Sequence, residues 1–339
     1  MDLTLLEERL SSLGEPGFRA RQIWEWAAGG AQSYEDMTNL PLELRRRLSE
    51  EVPLSALGFE REAVASDGTR KALFSTHDAR PLETVLMSYR DGRRSLCLSS
   101  QSGCPLTCTF CATGRMRFGR NLTTSEILDQ ALHFRRSGPV TNAVFMGMGE
   151  PLMNMDAVLA ACERLPDVGI PWSSTAISTV GWLPGIERLA TDGPPVRLAL
   201  SLHAAEDALR SELMPVNERY PLADVLAACL RWHEHRRRDV FVEYLMLDGV
   251  NDRREQAEAL ADVLQPRRAF KVNLIPYNPT EGEFRGSTRQ AVWAFKTTLE
   301  ARGVRTTVRL TRGRDIDAAC GQLAARTPIS TGGPVGNSR

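Results

Sequence analysis

Cys104, Cys108 and Cys111 stand in the run Ser102-Gly103-Cys104-Pro105-Leu106-Thr107-Cys108-Thr109-Phe110-Cys111, a C-x3-C-x2-C spacing. Thiols this dense serve a disulfide, a zinc site or an iron–sulfur cluster. A four-iron cluster normally takes four cysteines. Three in one short loop leave one iron open to an outside molecule, which would make the loop a catalytic centre. Cysteines without such a role are dispersed as small buried hydrophobes. Cys162 and Cys229, set among Ala and Leu on expected helices, read that way. Zinc would call for a fourth Cys or His nearby, and none follows at the expected spacing.

Other candidates fall where strand patterns end. In Gly147-Met148-Gly149-Glu150-Pro151, two glycines allow a ligand close to the backbone, and the Glu can accept from an ammonium or hydroxyls. Ser178, Ser201, His203 and Asn278 end further strand patterns. Each has a plain structural reading as well: a tight turn, a satisfied strand-end histidine, a turn-forming asparagine. By themselves Cys320 reads as a core thiol, Cys97 as a buried strand thiol and Glu83 as a surface carboxylate. Joint placement on one rim with the cysteine loop is what favours chemistry.

The elements that must position these groups alternate. Between residues 124 and 311 strand and helix patterns repeat in about six units, which argues for a parallel sheet with right-handed crossovers, a full or partial α/β barrel. Active groups in such folds sit at the C-terminal strand ends. A last strand is expected over 304–311 and a short helix over 317–325. Residues 1–60 read as a small helical unit, with Leu3, Leu6, Leu10 and Leu13 at helical spacing. Basic flanks suit nucleic acid, yet the same pattern serves inert packing. Residues 61–99 read as a β extension, with hairpin signals at Asp67-Gly68 and Asp91-Gly92. Residues 100–326 form the core, and the Gly/Pro/Ser-rich tail, 327–339, is expected to be disordered.

Forty-two basic residues balance 42 acidic ones, so the overall charge is not that of a nucleic-acid binder. All but Lys71, Lys271 and Lys296 of the basic residues are arginine, and runs such as Arg45-Arg46-Arg47 leave a local phosphate-binding surface open. No apolar run reaches the length of a membrane span. Seven cysteines, an odd number, suggest no disulfide framework, so a reducing cytoplasm is expected.

The three-cysteine spacing followed by Gly-Met-Gly-Glu resembles the radical S-adenosylmethionine enzymes. The likeness narrows further. Gln101-Ser102-Gly103-Cys104-Pro105, Phe110-Cys111-Ala112-Thr113-Gly114, the run Phe145 to Asn154, Ser201-Leu202-His203-Ala204, Met214-Pro215-Val216-Asn217, Asn273 to Pro279 and Gly313 to Leu323 resemble the RlmN family over roughly residues 15–325. Ser33 to Pro41 is similar to its N-terminal accessory helices.

That resemblance implies a partial (βα)6 radical-SAM barrel with a small helical accessory domain and a short β extension. It also implies methylation of C2 of an adenine in 23S rRNA, and of adenine 37 in tRNA. Cys104, Cys108 and Cys111 would hold one [4Fe-4S] cluster. Gly149, Glu150, Ser178, Ser201, His203 and Asn278 would contact S-adenosylmethionine, two of which are consumed per methylation. Cys320 would carry the methyl group, Cys97 would resolve the protein–RNA adduct through a transient disulfide, and Glu83 would accept a proton. A flavodoxin- or ferredoxin-type electron donor and a thiol reductant are implied as partners. Two alternatives remain: the related C8-methylating, antibiotic-resistance enzymes, against which Pro151 and the match over Met37–Arg45 count, and a zinc-stabilised, non-catalytic RNA-binding protein.

Overall fold

The computed structural model describes residues 1–280 and 282–325; the tail over 327–339 lies outside them. Helix α1 (Leu3–Ser12) begins where the Asp2 side chain accepts the Leu5 N–H at 3.1 Å, one of the donors a first turn leaves unpaired. Helices α2 (Phe18–Gly29) and α3 (Leu42–Glu51) follow. Leu6, Leu10, Ile23, Tyr34, Met37 and Leu48 give this unit a core of its own. Trp24 belongs instead to the main core and donates its indole N–H to Asp167 at 2.7 Å. Past α3, Asp129 ties the linker down by accepting from the N–H groups of Ala56 and Leu57 and the Ser55 hydroxyl. In the arginine run of α3, Arg46 is balanced on its own helix by Glu43 at 2.7 Å and Glu50 at 2.8 Å.

Strands β1 (Gly58–Val64), β2 (Arg70–Ser75) and β3 (Pro81–Ser88) form an antiparallel meander. Strand β4 (Arg94–Cys97) pairs antiparallel with β3 on one side. A two-stranded ribbon, β5 (Gln101–Ser102) with β6 (Arg120–Asn121), brackets the cysteine loop. Then come α4 (Thr124–Arg135), opened by a Thr123/Glu126 capping box, β7 (Asn142–Phe145) and α5 (Met155–Arg164). The alternation continues through β8 (Thr175–Thr179), α6 (Leu183–Thr191), β9 (Arg197–Ser201), α7 (Asp207–Leu213) and α8 (Leu222–Arg236). It closes with β10 (Val240–Met246), α9 (Arg254–Val263), β11 (Phe270–Pro276), α10 (Arg289–Ala301) and β12 (Thr306–Val308).

The main sheet runs β1-β2-β3-β4-β7-β8-β9-β10-β11-β12. From β4 onward every neighbouring pair is parallel, as six β-helix units and a final strand require. Leu198, Leu200, Tyr244 and Leu274 are buried in it, and so are the alternating residues Ala199, Leu245 and Ile275, consistent with strands covered on both faces. The β extension therefore continues the barrel sheet, and its last strand is the first parallel strand of the barrel. Among the described residues no helix is long and apolar enough to cross a membrane.

Two expectations fail locally. The last strand is shorter than 304–311. The helix over 317–325 does not form: a 3-10 turn at Arg314–Ile316 is flanked by Gly313 and Asp317, both left-handed, at φ +65° and +52°. A left-handed residue breaks the i to i+4 ladder, and the chain beyond spends its polar backbone on neighbouring loops.

Candidate active site

Cys97 ends β4, Ser178 lies near the end of β8, Ser201 ends β9, and Asn278 follows β11. All parallel strands point the same way, so these groups meet at one rim. The cysteine loop crosses it, held by Thr109 N–H to Leu213 O at 3.0 Å and Ala112 N–H to Gly321 O at 2.8 Å. A cavity of about 150 Å³ opens there, lined by Cys104, Cys108, Cys111, Gly149, Glu150, Ser178, Ser201, His203 and Cys320. Cys97 and Asn278 line a smaller cavity of about 30 Å³ beside it, and Cys320 lines both. Glu83 lies apart, on a third cavity of about 120 Å³. Cys162 and Cys229 are buried in the hydrophobic core.

Burial pushes the Cys104 thiol up to about 12 and, with Cys111 and Cys104 as neighbours, pushes Cys108 well above its usual range. Three thiolates here need positive charge brought to them. The Arg210 guanidinium acts on Cys108, but it is buried and committed to Asn217 Oδ1 and Val180 O, both at 2.6 Å. Among the described residues no three His, Cys, Asp or Glu side chains are placed to hold a single metal ion. A [4Fe-4S] cluster takes one thiolate per iron, so its ligands surround a volume instead of converging on a point. Three cysteines around one cavity fit that group and not tetrahedral zinc.

The Gly-Glu turn is fixed to the cysteine loop. Gly149 has φ +97°, and a Cβ there would stand 2.5 Å from the Gln101 Cβ, so only glycine fits. Gln101 Oε1 accepts the Glu150 N–H at 2.8 Å. Glu150 accepts from the N–H groups of Leu152 (3.1 Å) and Val180 (3.0 Å). Burial still raises its carboxyl to about 7, so an ammonium arriving in the cavity would restore its charge.

His203 has φ +59°, a left-handed conformation that a β-substituted residue keeps only when its surroundings impose it. Asn251 Nδ2 donates to its carbonyl at 2.8 Å, and its Nδ1 accepts the Leu245 N–H at 3.0 Å. Its proton therefore sits on Nε2. The Phe110 ring meets it edge-on at 4.8 Å. Burial, then Arg210, lowers its pKa to about 3. Between about 3 and the ordinary 6.5 the unfolded chain holds a proton that the folded one lacks, so stability rises with pH across that window. At pH 5 this costs the folded state about 2 kcal/mol. The Tm deficit of H203Q against wild type should therefore be smaller at pH 5 than at pH 7.5 in thermal unfolding; an equal deficit refutes a neutral His203.

The segment carrying Cys320 is strapped across the rim. Gly321 O accepts from Ala112, and Leu323 O accepts the Thr113 hydroxyl at 2.6 Å. Gln322 Nε2 donates to Pro279 O at 2.9 Å, and the Ala324 and Ala325 N–H groups both donate to Glu83 at 3.0 Å. Lys71 Nζ completes the Glu83 environment at 3.0 Å.

Sequence reasoning missed three charged groups here: Arg210, Glu243 and Arg309. Glu243 lines the main cavity and Arg309 the smaller one. The signal for Glu243 was a carboxylate in the middle of the apolar strand Val240–Met246.

A half-open α/β barrel with a three-cysteine loop and a Gly-Glu turn on its C-terminal rim defines a radical S-adenosylmethionine enzyme, and residues 98–261 match the model of the Radical SAM superfamily. Residues 1–54 match the ribosomal RNA large subunit methyltransferase N-terminal domain. A probable dual-specificity RNA methyltransferase RlmN of Chloroflexus aurantiacus is 46% identical over 353 residues, covering 97% of this chain and 93% of that protein. The dual-specificity RNA methyltransferase RlmN of Pelobacter propionicus is 44% identical, with 97% of each covered. The crystal structure of a radical SAM methyltransferase from Sphaerobacter thermophilus superposes with a TM-score of 0.90 at 43% identity, over 96% of this chain and 98% of that one. The chain belongs to the RlmN family. That membership implies a [4Fe-4S] cluster and S-adenosylmethionine.

Proposed function

We propose that this protein methylates C2 of an adenine in the peptidyl-transferase region of 23S rRNA and of adenine 37 in tRNA, in a reducing cytoplasm. The observation that carries the mechanism is the placement of Cys320, which faces the three-cysteine cavity on one side and Cys97 on the other. The dual specificity in the names of the relatives supports two kinds of RNA.

Adenine C2 is electrophilic, so direct polar transfer from a sulfonium is unfavourable. Cys104, Cys108 and Cys111 would hold the cluster, and Glu150, Gly149, Ser178, Ser201, His203 and Asn278 would position S-adenosylmethionine. Together these groups supply, when bound and reduced by a flavodoxin- or ferredoxin-type donor, a 5′-deoxyadenosyl radical. The Cys320 sulfur first takes a methyl group by displacement from one S-adenosylmethionine. Its S-methyl then loses a hydrogen atom to the radical from a second, and the remaining carbon radical adds to C2. Glu83 would accept the C2 proton, and the one electron released from the adduct would pass to the iron–sulfur cluster that Cys104, Cys108 and Cys111 would hold. Cys97 attacks the Cys320 sulfur, the carbon keeps the bonding pair and is protonated to the new methyl, and a Cys97–Cys320 disulfide remains for an external thiol to reduce.

The expected product distinguishes this reading from C8 chemistry. RNA treated with reconstituted enzyme, digested and chromatographed, should yield 2-methyladenosine; 8-methyladenosine would overturn the assignment.

A further inference from the structure

Helix α7 carries a buried cation that the mechanism above leaves idle. Arg210 is 0% exposed, and all three nitrogens of its guanidinium donate. Nη2 donates to Val180 O at 2.6 Å and to Ser201 O at 3.4 Å, and Nε donates to Leu202 O at 3.3 Å. Nη1 donates to Asn217 Oδ1 at 2.6 Å. Asn217 is fixed in turn, since its Nδ2 donates to Asp207 Oδ1 at 2.8 Å and to Ser211 Oγ at 2.9 Å. Asp207 and Ser211 lie on α7 as well, so the fork is braced from its own helix.

The carbonyls it gathers come from two strand ends. Val180 follows β8, Ser201 ends β9 and Leu202 comes next. The same Val180 gives its N–H to Glu150 Oε2 at 3.0 Å, and Leu202 stands between Ser201 and His203. One side chain thus sets how far the Gly-Glu turn stands from the Ser201–His203 turn. Both turns line the main cavity, whereas Arg210 itself does not.

We propose that Arg210 is a positioning residue for S-adenosylmethionine: its guanidinium fixes the separation between Glu150 and the Ser201–His203 turn, so that one ligand reaches both. This rests on the reading of those residues as S-adenosylmethionine contacts.

A planar fork presents its donors in fixed directions, so it can hold two strand ends and Asn217 at once. A lysine would keep the charge but bring a single nitrogen to partners that now meet three. Burial lowers the pKa of Arg210 only to about 10, so the fork stays charged at neutral pH and its hydrogen bonds are of the stronger, charge-assisted kind. Because it acts through the two turns, its loss should be felt most by a ligand that spans them.

The test measures binding of two thioethers to the anaerobic, cluster-loaded protein by calorimetry, without reductant. S-adenosylhomocysteine carries the amino-acid group that would reach Glu150 and has no methyl for Cys320 to take. 5′-Methylthioadenosine lacks the amino-acid group. R210K should bind S-adenosylhomocysteine at least about tenfold more weakly than wild type, the worth of one hydrogen bond to a charged group. It should bind 5′-methylthioadenosine within about threefold of wild type. Should R210K fail to fold, N217A serves: it removes the partner of Nη1 and should give the same ordering with a smaller loss. Equal losses for the two ligands, or no loss for either, overturn the proposal alone. Wild type that shows no preference for S-adenosylhomocysteine would overturn it together with the reading of the site on which it rests.

Discussion

Replacing Cys97 by alanine should leave the protein covalently joined to its RNA. Once the Cys320 methylene has bonded to C2, release requires a second sulfur to attack the Cys320 sulfur. Cys97 shares a cavity with Cys320. Cys162 and Cys229 are buried in the core, and Cys104, Cys108 and Cys111 would be committed to the cluster. C97A should therefore form about one adduct per chain and stop, giving a slower band on a denaturing gel that ribonuclease removes. Methylated RNA release should drop to background. The substitution deletes one buried sulfur, so folding should lose about 1 kcal/mol, which circular dichroism can check. Normal turnover by C97A would show that the two-cysteine mechanism does not operate in this protein.

The second large effect falls on the metal. Anaerobic reconstitution of wild type should give a brown protein with about four irons per chain, and dithionite should then drive cleavage of S-adenosylmethionine. C108S should lose the colour, most of the iron and the cleavage together. Cys108 is the one most firmly embedded: it is 9% exposed, and its carbonyl accepts the Cys111 N–H at 3.2 Å. Serine at this position gives a harder, less acidic ligand that binds iron poorly. Stoichiometric zinc in wild type, with no cleavage, would move the protein to the non-catalytic class.

Much of this site was legible because its chemistry depends on local spacing. Three thiols within eight positions, and Gly-Glu after a strand, are short-range patterns. Their meeting on one rim followed from the βα alternation, since parallel strands bring their ends together. What escaped is non-local. β4 read as the end of a hairpin, because nothing within residues 94–97 announces parallel pairing with Asn142–Val144. Cys97 thereby looked like a strand thiol when it is a barrel strand end. The Ala- and Leu-rich run after Asp317 has helical propensity, which the left-handed turn and the hydrogen bonds from Ala112 and Thr113 override. Glu243 was hidden for a different reason. A single charge in a strand usually faces water, and only the folded sheet reveals that this one is buried.

The strap that carries Cys320 has a consequence for how this region tolerates change. Its ties to Ala112, Thr113 and Glu83 are made with its own main chain, and main-chain groups are common to all residues except proline's missing N–H. The tied positions are restricted for other reasons as well: Gly321 holds φ +83°, and Leu323 is buried in the main core. Length is restricted too: one inserted residue between Asp317 and Leu323 adds up to about 3.5 Å of chain, enough to carry the sulfur away from the wall between its two cavities. Deletions and insertions should therefore be excluded here together with changes at Gly321 and Leu323.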